Sequence, residues 1–418
     1  MRRRTLLSLG GVAALPVPVS SSLAGGPSLG GGGRRRWIHT WTAMPQLTEP
    51  NNLPPAPFTG ESSVLVDTTL RQTVHVSIGG LHVRVRLSNA FGGAALPLTS
   101  VAVAKPVGGR AGVSAIMPGS SRPLTFGGRP SVTVPVGAQI VSDPVALPVE
   151  RGENLTITAY LATGQATLNL TSHPGSRTTS YLVGGDFVSA PDLVGAVGVA
   201  HWYLISGVEV QADVPALAIV GDSLTDGRGS TTDGNDRWPD QLFARGVRAA
   251  VLNQAAGGNR VLNDGLGPNV LARLDRDVLA TSGVDRMLLF EGVNDIGTAP
   301  ATVADQKAVV DDLLVAFEQI ALRAHAEGLK VYGATITPFG GNTGYDDPGG
   351  LREASRTAVN AAIRRGALFD GVADFDAAVR DPAAPRQLLP AYDTGDHLHL
   401  NPAGYGAIAR AVPLRWLT

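Results

Sequence analysis

The sequence predicts two bodies of different class. An all-β sandwich or jelly roll spans residues 37–212. It precedes an α/β body over residues 213–418, built on a doubly wound parallel sheet. Three observations point there. Apolar residues alternate with polar ones at period two in the first stretch. Short apolar runs alternate with helical stretches in the second, the pattern of βαβ units. The load of 52 glycines and 29 prolines fits a turn-rich β body.

Composition narrows the function classes. With 44% apolar and 17% charged residues the chain has enough apolar surface for a sizeable core and does not read as disordered. There are 34 Lys+Arg against 35 Asp+Glu, a net charge of -1, so no broad basic field marks a nucleic-acid partner. With no cysteine the chain has no disulfide framework, thiolate metal site or cysteine nucleophile.

The chain opens on Arg2-Arg3-Arg4, then an apolar stretch, then small residues at Ser22-Leu23-Ala24. That is the layout of an export signal over residues 1–24, and the arginines before Leu6-Leu7 resemble the twin-arginine type. Pro16 and Pro18 interrupt the run far short of the ~20 residues a spanning helix needs. No stable membrane anchor is expected, and the mature protein is expected outside the cell. A glycine-rich linker follows over residues 25–36.

In the β body, Val74, Val76 and Ile78 alternate with Thr73, His75 and Ser77. After Gly79-Gly80 the alternation resumes with Leu81, Val83, Val85 and Leu87. Two such runs around Gly-Gly predict a β-hairpin. Leu155, Ile157, Ala159 and Leu161 repeat the pattern. Trp37, Trp41 and Trp202 either fill the sandwich core, the favoured reading, or stack on sugars in a carbohydrate-binding module. A third role makes this body one wall of a cleft, through the loop at His173-Pro174.

In the α/β body, strands are expected at residues 216–220, 250–252, 287–290 and 331–336, and helices at 301–327 and 351–366. Ligands of such sheets bind at the carboxyl ends of the strands. Those ends carry Gly221-Asp222-Ser223-Leu224, then Asn253-Gln254-Ala255-Ala256-Gly257-Gly258-Asn259, then Glu291-Gly292-Val293-Asn294-Asp295. Asp396-His397-Leu398-His399 precedes a last helix.

Acyl transfer needs a nucleophile, a base for its proton and donors for the oxyanion. Ser223 sits on a tight turn straight after a buried strand and is the candidate nucleophile. A histidine suits the base, with an ordinary pKa near 6.5, so activity should fall below about that pH. Of His325, His397 and His399, the first lies in a polar helical context. His399 is preferred because Asp396, three residues before it, can accept the Nδ1 proton and leave Nε2 for Ser223. Asp393 could orient His397 if that were the base. The backbone N–H of Ser223, the N–H of Gly258 and the side-chain amide of Asn294 are the candidate oxyanion donors. Gly257 is the neighbouring alternative to Gly258. Asp222, His397, Arg237 and Trp238 are candidates for the pocket, and Asp295 for ordering a loop.

In this order, the four blocks resemble those of the GDSL or SGNH hydrolase family, whose letters stand for a serine, glycine, asparagine and histidine. The run GDSLTDGRGSTTDGNDRWPDQL over residues 221–242 strengthens the first block. The resemblance covers residues 214–418, and a β domain before it looks like a two-domain secreted subgroup. It implies a flavodoxin-like three-layer fold and a carboxylic-ester hydrolase with Ser223, His399 and Asp396 as triad. It also implies Ser223, Gly258 and Asn294 as oxyanion hole, and no metal or other cofactor. The expected partner is an ester: small, lipid or acylated polysaccharide. Acyl transfer to an alcohol would use the same residues. A different serine-hydrolase fold is disfavoured because no Gly-x-Ser-x-Gly elbow occurs. A metal-dependent phosphoesterase would recast Asp222, Asp226, Asn294, Asp396, His397 and His399 as ligands.

Overall fold

The computed structural model describes residues 36–418. The expected export signal over residues 1–24, and all of the expected linker but Arg36, lie outside the described residues. Arg36 already belongs to the first strand.

The β body is built on two packed antiparallel sheets and also holds a three-stranded and a two-stranded sheet. Its longer strands are β1 (Arg36–Thr42), β2 (Thr68–His75), β3 (Gly80–Ser88), β4 (Ser100–Ala104), β5 (Asn154–Leu161), β6 (Ser180–Gly184) and β7 (Ile205–Ala212). One sheet runs β1–β7–β3, extended by Val145–Val149 and Gln139–Val141. The other runs β6–β2–β5–β4, with short strands at both edges. Inward side chains of both sheets, among them Val74, Val83, Val85, Leu155, Ile157 and Val210, form one buried cluster, as a sandwich core requires.

The hairpin expected around Gly79-Gly80 does not form. β2 pairs with β5 and β6, and β3 pairs with β7, so the chain crosses between sheets at residues 76–80. The two glycines serve close approach rather than a turn. Neither has a positive φ. A Cβ on Gly79 would lie 2.4 Å from the Val149 carbonyl oxygen, and one on Gly80 would lie 2.8 Å from Val210 Cβ. Leu81 is exposed in consequence. β2 is a central strand buried on both faces, so its polar residues are inside and hydrogen-bonded, as burial demands. The Gln72 amide donates to the Tyr203 carbonyl at 2.9 Å, and the Arg71 guanidinium donates to Thr158 Oγ1 at 2.9 Å.

The α/β body holds five parallel strands: β8 (Ala216–Gly221), β9 (Ala250–Asn253), β10 (Val284–Phe290), β11 (Lys330–Ala334) and β12 (Gly371–Ala373). Their spatial order is β9–β8–β10–β11–β12, the doubly wound arrangement with its switch point beside β8. Every residue of β8 is buried, because helices cover both faces of a parallel sheet. The helices are α1 (Ser223–Asp226), α2 (Trp238–Ala244), α3 (Val270–Leu274), α4 (Val293–Thr298), α5 (Val303–Ala326), α6 (Leu351–Arg364), α7 (Phe375–Val379) and α8 (Pro402–Ala411). Side-chain caps start several of them: Asp222 for α1, Thr302 for α5 and Asn401 for α8. Such caps satisfy N–H groups the helix leaves free.

Residues 36–418 pack as one unit. Ala216, Ala250 and Leu252 of the parallel sheet belong to the sandwich core. Polar links cross the junction: Thr42 Oγ1 donates to the Asn253 carbonyl at 3.0 Å, and Val251 N–H donates to Ser77 Oγ at 3.1 Å. Buried Glu209 gathers Arg84, Arg86 and the Ser282 hydroxyl. Among the described residues no helix is long and apolar enough to cross a membrane.

Candidate active site

Four loops meet at the carboxyl end of the parallel sheet. Where β8 ends, Gly221 leaves no room for a side chain: a Cβ there would lie 2.2 Å from Thr225 Oγ1. Asp222 then caps α1, its carboxylate accepting the Leu224 N–H at 2.9 Å. The cap places Ser223 at the first helical position, where its own N–H has no partner within the helix. From the other end of the domain, residues 393–400 fold back over this turn. Asp396 Oδ1 accepts the N–H groups of Leu398 at 3.0 Å and His399 at 2.8 Å, and Oδ2 lies 2.6 Å from His399 Nδ1. One carboxylate thus fixes both the backbone and the ring of His399.

His399 Nε2 lies 2.8 Å from Ser223 Oγ. With the Nδ1 proton directed at Asp396, Nε2 carries the lone pair that accepts the Ser223 hydroxyl. Burial tends to raise the Asp396 pKa, but the hydrogen bonds from the His399 backbone and ring outweigh it and hold this carboxyl well below its ordinary value. Burial pulls the His399 pKa below 6.5; Asp396 works against that, and Arg228 and Arg177 add to it. The onset of protonation expected near pH 6.5 is therefore displaced to lower pH.

Gly258 and Asn294 line the same cavity as Ser223 and His399. Gly257 N–H is already committed, donating to Asp226 Oδ2 at 2.9 Å. Gly258 has a φ of 72°, a conformation that costs glycine little. Asn294 spends one amide hydrogen on the Asn259 carbonyl at 2.8 Å, and its oxygen accepts the Tyr345 hydroxyl. These two bonds fix the amide plane and leave its second N–H uncommitted. Asp295 holds the next loop, accepting Val261 N–H at 3.0 Å and Leu262 N–H at 2.9 Å.

The cavity has a volume of about 670 Å³. Its other wall comes from the β body, through Gln46, Glu49, Pro174, Gly175, Arg177 and His201. The 173–177 loop is tied in by a buried pair, His173 Nε2 to Asp226 Oδ1 at 2.8 Å.

Four residues expected in the pocket do not line it. Asp222 is buried beneath the turn as a cap, and burial pushes its pKa up to about 7. Trp238 is fully buried against Phe375, its indole N–H on Thr225 Oγ1. Arg237 is buried and held by Asp240 at 2.9 Å. The two belong to α2 and its cap, whose apolar face packs into the core instead of facing the cleft. His397 is turned to solvent and pairs with Asp393 at 2.7 Å. Its φ of 60° breaks the extended path that would have pointed it the same way as His399. His325 is also exposed, paired with Asp370.

The carboxylates and imidazoles that a metal site would have used are spent in separate pairs. Among the described residues no three such groups are placed to hold an ion. Trp41 and Trp202 are buried edge to face, with centroids 4.9 Å apart, so they fill the core. Trp37 lies under the Arg84 guanidinium. Asp226, Arg177, Arg228 and Tyr345 also line the cavity, and sequence reasoning misses them as pocket residues. For Asp226 and Arg228, the available signal was their place in the block that begins at Gly221.

Residues 219–407 match the model of the GDSL-like Lipase/Acylhydrolase family. Among solved structures, the chain is similar to a GDSL-like lipase from Bacteroides thetaiotaomicron at 17% identity. That match covers 47% of this chain and 84% of that one, with a TM-score of 0.34. It is similar to a catalytic mutant of an acetylxylan esterase from Geobacillus stearothermophilus at 19% identity, covering 48% and 94%, with a TM-score of 0.36. It is also similar to an alpha/beta hydrolase enzyme from the metagenome of Lake Arreo at 22% identity, covering 47% and 92%, with a TM-score of 0.34. No curated protein matches it.

Proposed function

We propose, for a chain whose residues 219–407 match the GDSL-like lipase/acylhydrolase family, a secreted serine carboxylic-ester hydrolase that works through an acyl-enzyme. The observation that carries this reading is the relay Ser223 Oγ–His399 Nε2 at 2.8 Å and His399 Nδ1–Asp396 Oδ2 at 2.6 Å, opening on a cavity that also holds Gly258 and Asn294.

In the first half-reaction the Ser223 oxygen bonds to the ester carbonyl carbon as its proton passes to His399 Nε2. The carbonyl electron pair moves onto oxygen. The N–H groups of Ser223 and Gly258 and the Asn294 amide receive that charge, positioned before it develops. Asp396 keeps the ring in the tautomer that accepts the proton and stabilises the imidazolium. As the carbonyl re-forms, the bond to the alcohol oxygen breaks, and His399 returns the proton to that oxygen. Water then repeats the sequence on the acyl-enzyme: its proton goes to His399, its oxygen to carbon, and the acid departs as Ser223 recovers its proton. In this reading residues 1–24 direct export, residues 37–212 supply one wall of the cleft, and residues 213–418 carry the chemistry.

The test uses p-nitrophenyl esters of two to sixteen acyl carbons. Ser223→Ala should lose kcat by about 10⁴-fold or more, as removal of a triad nucleophile does, with an unchanged circular dichroism spectrum. A fluorophosphonate should add to Ser223 in the wild-type protein. A folded Ser223→Ala protein with full turnover overturns the mechanism.

A further inference from the structure

Two guanidinium groups in the cleft lack the partners that every other charged group of its lining has. Arg177, from the β body, and Arg228, just after α1, both line the cavity with Ser223 and His399. Among the described residues neither forms an ion pair, as Arg86, Arg237, Arg356 and Arg364 do. The acidic groups of the lining are already engaged. Glu49 accepts the Gln46 amide at 2.6 Å and the Asn52 amide at 2.9 Å. Asp226 is taken by His173 and Gly257.

Arg177 is the more unusual of the two. It is half-buried, and its Nε is fully buried with no hydrogen-bond partner, a loss that folding normally avoids. Its φ is 50°, a strained conformation for a residue with a Cβ, and one that persists only where the surroundings enforce it. The surroundings do so: its carbonyl accepts the Asp233 N–H at 2.9 Å, and Asp233 in turn holds Thr179 through N–H and hydroxyl at 2.7 and 2.9 Å. The adjacent carboxylate of Asp233 is thus spent on Thr179 and does not neutralise Arg177. A side chain held at a cost, with a buried and unpartnered Nε, in the same cavity as the candidate nucleophile is arranged for a ligand that brings the missing acceptor.

We propose that Arg177 and Arg228 together bind an anionic group carried by the ester substrate, a carboxylate or comparable oxyanion on its acyl or its alcohol part. The planar guanidinium suits such a group, offering paired, charge-assisted donors. The proposal rests on the hydrolase reading and names its substrate class: esters that bear a negative charge near the scissile bond. Both guanidiniums also act on the His399 ring at a distance, which places their charge within reach of the reacting centre.

The experiment compares matched esters by pH-stat titration at low salt. On the acyl side the pair is p-nitrophenyl hemisuccinate and p-nitrophenyl butyrate; on the alcohol side it is 4-acetoxybenzoate and 4-acetoxybenzamide. The expected result is a higher kcat/KM for the charged member of at least one pair, and the pair that responds identifies which part of the ester carries the anion. Arg177→Gln should lower that charged-to-neutral ratio by about tenfold, ~1.4 kcal/mol, through KM. Arg228→Gln should lower it in the same sense. Added salt should shrink the wild-type preference as charges are screened. Calorimetry of Ser223→Ala with the preferred charged ester reads binding without turnover, and the Ser223→Ala/Arg177→Gln double variant should lose that heat. Equal ratios in wild type and both arginine variants overturn the proposal while leaving the hydrolase reading intact. Turnover of no ester, with binding of the charged ones retained, overturns the hydrolase reading instead.

Discussion

Asp226 is the residue on which the two bodies and the Gly257-Gly258 loop converge, and its removal should damage stability and rate together. It is 2% exposed. Oδ1 meets His173 Nε2 at 2.8 Å, and Oδ2 accepts the Gly257 N–H at 2.9 Å. The other nitrogen of His173 faces the Met44 carbonyl at 3.0 Å. Two acceptors thus flank the ring, the Asp226 carboxylate at Nε2 and the Met44 carbonyl at Nδ1. Asp226→Ala strands both the ring and the Gly257 N–H in a buried site. Breaking a buried pair from one side costs about 3–5 kcal/mol. At ~2 °C per kcal/mol for a large body, that is a fall in Tm of about 6–10 °C. Gly257 precedes Gly258, so the loop that presents the proposed oxyanion donor loses its tether. Loss of one such donor is worth about 10²–10³ in kcat.

Asp226→Asn separates this reasoning from general damage. The asparagine amide can donate to His173 Nε2 while its oxygen still accepts from Gly257, so no buried group is stranded. Differential scanning fluorimetry and steady-state ester hydrolysis well below Tm should therefore rank wild type and Asp226→Asn close together, and Asp226→Ala far below. An Asp226→Asn protein as impaired as Asp226→Ala refutes the hydrogen-bond accounting. An Asp226→Ala protein with wild-type Tm and kcat refutes the role of the residue.

Two further outcomes depend on pH. Burial lowers the His399 pKa, so the neutral base persists into more acid solution. The acid limb of kcat/KM should fall below pH 6.5, and a limb at or above 6.5 counts against a buried His399 as the base. Asp222 has its pKa raised from 3.8 to about 7, chiefly by burial. The folded state then keeps a proton that the unfolded state has released, and stability drains away as pH rises from about 3.8 to about 7. At 1.36 kcal/mol per unit the loss totals ~4 kcal/mol. Asp222→Asn keeps the cap acceptor and removes the ionisation, so its Tm relative to wild type should climb between pH 5 and pH 8; a constant difference would discard the assignment.

Local pattern carried much of the α/β body. Residues 216–220 and 287–290 are apolar because β8 and β10 are covered on both faces, and the caps at Thr302 and Asn401 mark helix starts in their own few residues. β12 escaped because three residues, Gly371–Ala373, are too few to show a period. In the β body the alternation was visible and its pairing was not. Gly79-Gly80 looks like a turn in sequence, yet its meaning lies in Val149 and Val210, whose backbone and side chain leave no room for a Cβ. The distinction between a glycine that bends and a glycine that yields space is a property of distant neighbours.

The candidate site divides along the same line. Ser223, Gly258 and Asn294 follow strand ends and His399 precedes α8, so their placement is set by short stretches of chain. Asp222, Arg237 and Trp238 share those stretches, and nothing local distinguishes a side chain that faces the cleft from one that faces the core. For Trp238 the decision is made by Phe375 and Thr225; for Arg237, by Asp240. The groups that would read a substrate are more dispersed still. Arg177 comes from a β-body loop held by Asp233, and His173 reaches Asp226 across the junction. Chemistry that every ester shares can be written in compact motifs at strand ends. Discrimination among esters depends on the wall opposite, and here that wall is contributed by a sheet whose pairing no local pattern revealed. It follows that chains alike in the four blocks but different over residues 173–177 should share the reaction and differ in the charge of the ester they accept.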